Sequence, residues 1–248
     1  RSFYEAVSGS GQEYLRITTM HSSSLCGLLH FFNLKGKTIL INLDNLENEK
    51  KQLKVEGVRF EFQNPVISSK YPSNIDIVLY GIYDGKKILL FLESKFSEYL
   101  NRGTCNIQKS YVKDHEKTYG TNKIVNKYIR DELKKDGYTF GKDNHHYYCG
   151  LKQMVSHYIG VRNYIEKKHK SKPIDYEYEK AYLGTVLFDF GELGKDELID
   201  YGEEYKKLIK ELQVLDNRIQ MVPEVLTYQL IFAKSKLLET DVEKYYGY

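Results

Sequence analysis

The sequence predicts an α/β (α+β) fold in which a central mixed sheet, containing one tight hairpin, is flanked by helices. The apolar run Ile88–Leu92 is typical of a strand that is buried on both faces. Asp84-Gly85 separates this run from a second strand-like segment, and this dipeptide favours a two-residue hairpin turn. Residues with helical spacing of apolar side chains lie before and after the hairpin, for example over 25–32.

The spacing of apolar and polar residues predicts the order of the elements. In chain order we expect a helix from Glu13 to about Leu34, a loop or short helix over 43–56, a strand over Val58–Val66, the hairpin over 74–98, a helix over His146–Lys168, a strand over Ala181–Phe190, and helices over Glu197–Val214, Thr227–Lys236 and Val242–Tyr246. Strand alternation places Phe60 and Phe62 on one face. We expect one domain over 1–248, with a core at about 5–190, a polar insertion near 101–145 and a helical C-terminal extension over 195–248.

The hairpin brings three charged residues together. If Asp84-Gly85 is the whole loop, Tyr83 faces Lys86 and the same register places Asp76 opposite Glu93. Lys95 lies two residues beyond Glu93 and therefore on the same face of the strand.

Opposed carboxylates repel each other, so a bound divalent cation is the commonest reason for such a pair. The repulsion also predicts that the metal-free protein becomes more stable when Glu93 is removed. Glu-x-Lys recurs elsewhere in polar stretches, but only Glu93 and Lys95 end a buried apolar strand. A charged pair at that position is costly unless it is paired or binds a ligand.

An Asp followed by a hairpin and Glu93-Ser94-Lys95 resembles the PD-(D/E)XK nuclease superfamily, and in particular a restriction-endonuclease-like bacterial branch. The similar segments, in the expected order over about 5–190, are SGSGQEYLR (8–16), HSSSLCGLLHFFNL (21–34), VRFEFQNPVI (58–67), PSNIDIVL (72–79), LESKFSEYL (92–100) and GLKQMVSHYIGV (150–161). One departure is that the family's Pro usually precedes the Asp directly, whereas Pro72 lies four residues before Asp76.

The resemblance implies a restriction-endonuclease-like core and a Mg²⁺-dependent nuclease that hydrolyses DNA phosphodiester bonds, as restriction or defence endonucleases do. Asp76, Glu93 and the Ser94 carbonyl would hold Mg²⁺, for which Mn²⁺ would substitute. Lys95 would hold the attacking water and offset charge on the phosphate. The alternative is a catalytically inactive nucleic-acid-binding module on the same fold.

Further site residues follow from the same resemblance. Related nucleases place a Q-x-x-x-Y helix beside the metal, and here Gln153 is followed at the fifth position by His157, which we expect to contact nucleic acid. Glu13 resembles the first-helix Glu that supports the metal in this superfamily, and Glu61 on the adjacent strand is its competitor. Gln153 and His157 could instead form an ordinary polar stripe on the helix.

The net charge of +3 excludes a generally basic nucleic-acid binder, but the charge is uneven. A run of nine Lys and Arg against four acids lies between Asn101 and Lys135. Its members Arg102, Lys109, Lys113 and Lys117 are expected to bind DNA phosphates, unless the run is only a solvated helix face.

Composition predicts a soluble cytoplasmic protein without membrane contact. No apolar stretch approaches the roughly 18–20 residues of a membrane span. No secretory signal is visible, and three scattered cysteines indicate free thiols in a reducing compartment. The sequence contains no G-x-G-x-x-G, P-loop or G-x-S-x-G pattern to favour a small-molecule enzyme. It leaves open RNA as substrate and the formation of a homodimer.

Overall fold

The structure is a computed structural model that describes residues 22–44, 49–66, 72–104, 146–166, 174–214 and 217–232. Several residues of the sequence analysis lie outside these ranges, namely Glu13, Lys109, Lys113, Lys117 and most of the expected insertion over 101–145.

The described residues contain strands and helices in mixed order. The strands are β1 (Thr38–Ile41), β2 (Lys51–Pro65), β3 (Pro72–Tyr83), β4 (Lys86–Lys95), β5 (Gly103–Thr104), β6 (His146–Tyr147), β7 (Lys180–Leu187), β8 (Ile219–Met221) and β9 (Leu226–Thr227). The helices are α1 (Ser23–Phe31), α2 (Leu151–Ile165), α3 (Lys195–Gln213) and α4 (Tyr228–Phe232).

A mixed seven-stranded sheet forms the centre of the fold. Strands β1 to β4 are antiparallel neighbours in chain order, β4 pairs in parallel with β7, and β8 and β9 both pair in parallel with β7. Strands β5 and β6 form a separate two-stranded ribbon. The predicted central mixed sheet flanked by helices is therefore confirmed at the level of an α/β architecture.

Each face of the sheet has its own core. Along β4, Leu89 and Phe91 pack on one side with α2 and α3, whereas Ile88, Leu90 and Leu92 pack on the other side with α1 and α4. The continuous apolar run of β4 reflects this position between two helical layers, where neither face meets water.

The predicted hairpin register is confirmed. Asp84 and Gly85 have φ values of 51° and 75°, as a type I′ turn requires at both central positions. Tyr83 lies opposite Lys86, and the register continues without interruption to Ile77 opposite Leu92. Asp76 and Glu93 are the next residues outward on the two strands.

Strand β2 differs from the prediction in two respects. It begins at Lys51, inside the segment expected to be a loop or short helix, because Leu53 and Val55 are buried while charged residues occupy the alternate positions. Phe60 and Phe62 pack in different cores instead of on one face. Glu61 between them has a φ of 51°, and this left-handed residue interrupts the alternation.

The C-terminal part of the described chain is not purely helical. Helix α3 confirms the expected amphipathic helix, with Tyr205, Leu208 and Leu212 buried. Strands β8 and β9, however, extend the central sheet beyond residue 190. These strands are only three and two residues long, so they are too short to give a period-2 pattern. None of the helices in the described ranges is long and apolar enough to cross a membrane.

A pair of glycine substitutions tests the packing of β2 on β3. Gly81 faces a bulge in β2 between Val55 and Gly57, and a Cβ at Gly81 would collide with the backbone of Lys54. We expect Gly81→Ala to lower the free energy of unfolding by about 1–3 kcal/mol or more. Gly202 lies in α3 with no atom near its Cβ position, so Gly202→Ala should stabilise by about 0.5–1 kcal/mol. Urea unfolding measures both, and equal effects would contradict the described bulge.

Candidate active site

A cavity of about 980 Å³ lies at the end of the hairpin, between the N-terminal turns of α1 and α2. Asp76 of β3 and both Glu93 and Lys95 of β4 line it, together with Gln153 and His157 of α2 and Glu61 of β2. The cavity therefore brings together Asp76, Glu93, Lys95, Gln153 and His157, whereas Ser94, which lies between Glu93 and Lys95 on β4, does not line it. Its other walls include residues that the sequence analysis did not select, namely Ser73, Glu98, Tyr148 and Lys152.

The end of β4 directs its side chains to two different sides. Glu93 and Lys95 contact α2, whereas the Ser94 hydroxyl donates to the Ser23 carbonyl at 2.8 Å and bonds to the Tyr228 hydroxyl at 2.6 Å. The Ser94 N–H donates to Asp76 Oδ2 at 2.8 Å. In an antiparallel pair the N–H and C=O of one residue point to the same neighbour, so the Ser94 carbonyl also points towards β3.

Glu93 is the most heavily engaged residue of the site. Its Oε1 accepts from Lys95 Nζ at 2.6 Å, and its Oε2 bonds to His157 Nε2 at 2.6 Å. Lys95 also donates to Gln153 Oε1 at 2.8 Å. Glu93 is only 1% exposed, so these bonds replace the water that a buried carboxylate has lost.

Helix α2 lies unusually close to the sheet at this point. A Cβ on Gly160 would lie 2.9 Å from the Asn64 Cβ and 3.3 Å from the Ser73 Cβ, so only glycine permits the approach. His157 precedes Gly160 by one helical turn and faces the same strands. Its Nδ1 bonds to the Ser73 hydroxyl, which places the ring between β3 and β4.

The expectation that His157 contacts nucleic acid stays a prediction, although the contacts that the structure describes for it are all within the protein. The residue is 2% exposed, and both of its ring nitrogens are bonded inside the protein. His157, at the fifth position of the motif that begins at Gln153, therefore forms a hydrogen bond with Glu93. Sequence spacing could not reveal this contact, because Ser73 is 84 positions away in the chain.

The charges of the site affect its two buried carboxylates in opposite ways. Burial raises the pKa of Asp76 well above its ordinary value, and the charges of Glu93 and Glu61 add to this effect. Burial also acts to raise the pKa of Glu93, but Lys95 and His157 outweigh it, so the pKa of Glu93 lies below its ordinary value. Glu93 is therefore compensated by its partners, whereas the surroundings of Asp76 disfavour its ionised form.

Lys95 is a fixed positive charge. Burial alone would lower its pKa, but the carboxylates of Glu93 and Asp76 outweigh burial and raise the pKa above the ordinary lysine value. The ammonium group therefore stays protonated at neutral pH and does not act as a base in this state. Glu61, which accepts from the Ser24 hydroxyl at 3.0 Å, adds a third acid to the same pocket.

The donor set suits a hard divalent cation. Carboxylate and carbonyl oxygens are the ligands that Mg²⁺ prefers. The carboxylates of Asp76, Glu93 and Glu61 line the pocket, and the Ser94 N–H donates to Asp76 Oδ2. Within the described ranges, no group of three or more His, Cys, Asp or Glu side chains is already arranged to hold a metal. Lys95 and His157 account for this, because each takes one oxygen of Glu93.

Arg102 lies near the entrance of the cavity. Its neighbours Asn101 and Gly103 line the pocket, and its guanidinium lies 4.6 Å from the ring centre of Tyr148. It also pairs with Asp200 at 3.4 Å, and its side chain is 53% exposed. Arg102 is therefore accessible from solvent, as its expected role requires.

A scan against protein-family models, a search of curated proteins and a search of solved structures found no match to this chain.

Two isosteric variants are expected to change the free energy of unfolding in opposite directions at neutral pH. Glu93→Gln leaves Lys95 buried without its closest carboxylate, and we expect it to destabilise by about 3–5 kcal/mol. Asp76→Asn removes a carboxyl group whose ionised form is disfavoured by burial, Glu93 and Glu61, while it keeps an acceptor for the Ser94 N–H, so it should raise the free energy of unfolding. The expectation that loss of Glu93 stabilises the protein is thereby reversed, because the repulsion acts on Asp76.

The pH dependence of the two effects gives a further check. The pKa of Asp76 is raised, so its favourable contribution is complete below its ordinary value of 3.8 and is lost as the pH rises through the folded-state pKa. The pKa of Glu93 is lowered to about 2, so its contribution is present above 4.5 and is lost as the pH falls towards 2. The stability differences of Glu93→Gln and Asp76→Asn from the parent should therefore both become smaller as the pH is lowered. Thermal unfolding between about pH 3 and 8 would measure this change. Differences that do not change with pH would contradict these charge states.

Proposed function

We propose that this protein is a metal-dependent nuclease that hydrolyses DNA phosphodiester bonds, with a restriction-endonuclease-like core of the PD-(D/E)XK type. One observation carries the proposal: Asp76, Glu93, Lys95 and Gln153 come from three separate elements and line a single cavity. The mixed sheet with helices on both faces is compatible with that core. The motif order along the chain favours a restriction or defence endonuclease.

Asp76, Glu93 and the Ser94 carbonyl are the proposed ligands of Mg²⁺, with Mn²⁺ as a substitute. A divalent cation bound there would polarise the phosphate and lower the pKa of a coordinated water. Glu61 supports the cation from β2, since it already raises the pKa of Asp76. Glu13, its competitor for this role, lies outside the described residues.

Lys95 would hold the attacking water and offset the charge that builds up on the phosphate. Its raised pKa suits this role, because the task needs a permanent hydrogen-bond donor and not a base. Gln153 orients the ammonium through its 2.8 Å hydrogen bond. When the substrate enters, Lys95 would exchange part of its bond with Glu93 for bonds to the water and the phosphate.

DNA would reach the cavity past Arg102 and Lys152, which supply cations near the entrance. Lys109, Lys113 and Lys117 follow in the chain and remain the proposed source of further phosphate contacts. The second candidate is an inactive nucleic-acid-binding module. The complete engagement of Glu93 by Lys95 and His157 favours it, because a site without metal would keep that pairing.

Plasmid cleavage in the presence of Mg²⁺ or Mn²⁺ separates the two candidates. We expect the parent to cut, EDTA to stop it, and Asp76→Asn and Lys95→Ala each to lower the rate by about 10²-fold or more. Asp76→Asn is the sharper variant, because it should gain stability while it loses activity. DNA binding in the absence of metal should persist in both variants.

Matched controls come from an exposed ion pair outside the cavity. Lys206 and Glu224 lie 3.2 Å apart with side chains that are 58% and 67% exposed. Lys206→Ala and Glu224→Gln repeat the same chemical changes and should leave the cleavage rate unchanged. A parent that binds DNA without cutting it would support the inactive module. Undiminished cleavage by pure Asp76→Asn or Lys95→Ala protein would refute the proposed roles.

A further inference from the structure

A buried chain of hydrogen bonds runs from β3 through α2 to β4. The Ser73 hydroxyl bonds to His157 Nδ1, and His157 Nε2 lies 2.6 Å from Glu93 Oε2. The three residues are 4%, 2% and 1% exposed, respectively. Water therefore does not compete for these bonds, and the chain links two strands of the site through one helix.

The direction of the hydrogen bonds follows from the chemistry of the groups. An ionised Glu93 can only accept, so His157 Nε2 carries a proton and donates. In the neutral ring Nδ1 is then an acceptor, and the Ser73 hydroxyl donates to it. In either protonation state, the bond to Ser73 holds the His157 ring with Nε2 towards Glu93.

This arrangement restricts how the Glu93 carboxylate can rotate. Oε2 is fixed towards α2 by His157, so Oε1 remains on the side where Lys95 binds. Ser73 lies on β3, the strand that also carries Asp76. Strand β3, which supplies the proposed ligand Asp76, therefore also helps to orient the proposed ligand Glu93.

We propose that Ser73 and His157 are positioning residues that hold the Glu93 carboxylate in the orientation in which it binds the divalent cation. The inference rests on the proposed function and adds two residues to it. Hydrogen bonds to a ligand from outside the coordination sphere commonly change metal affinity by 10–100-fold. Neither residue needs to touch DNA or the reacting atoms.

A Ser, a His and a Glu could also form a hydrolase triad, but the polarity here is reversed. In such a triad the acid bonds to Nδ1 and the serine to Nε2 of the histidine. In this protein Ser73 bonds to Nδ1 and Glu93 to Nε2. The geometry therefore favours orientation of Glu93 over activation of Ser73.

The test is calorimetric titration of Mg²⁺ and Ca²⁺ into the metal-free protein, without DNA. We expect His157→Asn to weaken binding by about 10–100-fold, because its shorter side chain does not reach Glu93. His157→Gln places an amide N–H near the Nε2 position and should restore most of the affinity. Ser73→Ala should give an intermediate loss. In cleavage assays the same variants should show an unchanged KM for DNA and a higher Mg²⁺ requirement.

His30→Asn is the control for nonspecific damage. His30 is also buried, at 5% exposure, but it bonds within α1 to the Cys26 carbonyl. This variant is expected to lower the melting temperature and to keep the parent's metal affinity within about twofold, well below the change expected for a positioning residue.

The outcomes separate the two proposals. A parent that binds neither cation removes the proposed function, and this inference falls with it. A parent that binds while His157→Asn binds equally well overturns only the positioning role, as would equal losses in His157→Asn and His157→Gln. Covalent labelling of Ser73 by a fluorophosphonate, abolished in His157→Asn, would show a nucleophile in place of a positioning residue.

Discussion

The site depends on one constraint, the burial of the Glu93 carboxylate at the end of the central strand β4. A charge that is 1% exposed must be fully hydrogen-bonded, and Lys95 and His157 provide this from two directions. Each partner in turn needs its own support. Gln153 holds Lys95 and Ser73 holds His157, so the position of α2 is fixed by the requirements of a single carboxylate.

The sequence was sufficient where the structure is determined locally. Asp84-Gly85 adopts the two left-handed conformations of a type I′ turn, and this turn sets the register down to Ile77 and Leu92. The neighbourhood of Asp76, Glu93 and Lys95 follows from that register and from strand alternation. The buried character of β4 could likewise be predicted from five consecutive apolar residues, because both faces are covered by helices.

The remaining features depend on contacts that sequence patterns do not encode. Glu61 breaks the alternation of β2 with a positive φ, which a non-glycine residue rarely adopts, so the face change between Phe60 and Phe62 was not predictable. The role of His157 depends on Ser73 and Glu93, which are 84 and 64 positions away. The early part of β2 was hidden because its exposed positions carry Lys and Glu, which are common in helices and loops.

Lys95 explains how a pocket lined by four acidic residues can fold without a metal. Its ammonium group neutralises Glu93 directly and lowers the pKa of Asp76, so it occupies the electrostatic position that a divalent cation would take. The ionised form of Asp76 remains disfavoured by burial and by the charges of Glu93 and Glu61, and a cation that binds between β3 and β4 would relieve that penalty. In the proposed reaction, Lys95 and the cation would compete for the Glu93 carboxylate. Glu93 would hold the cation in place of Lys95, and the Lys95 ammonium would then be available to the water and the phosphate, so metal binding and the release of Lys95 would be coupled.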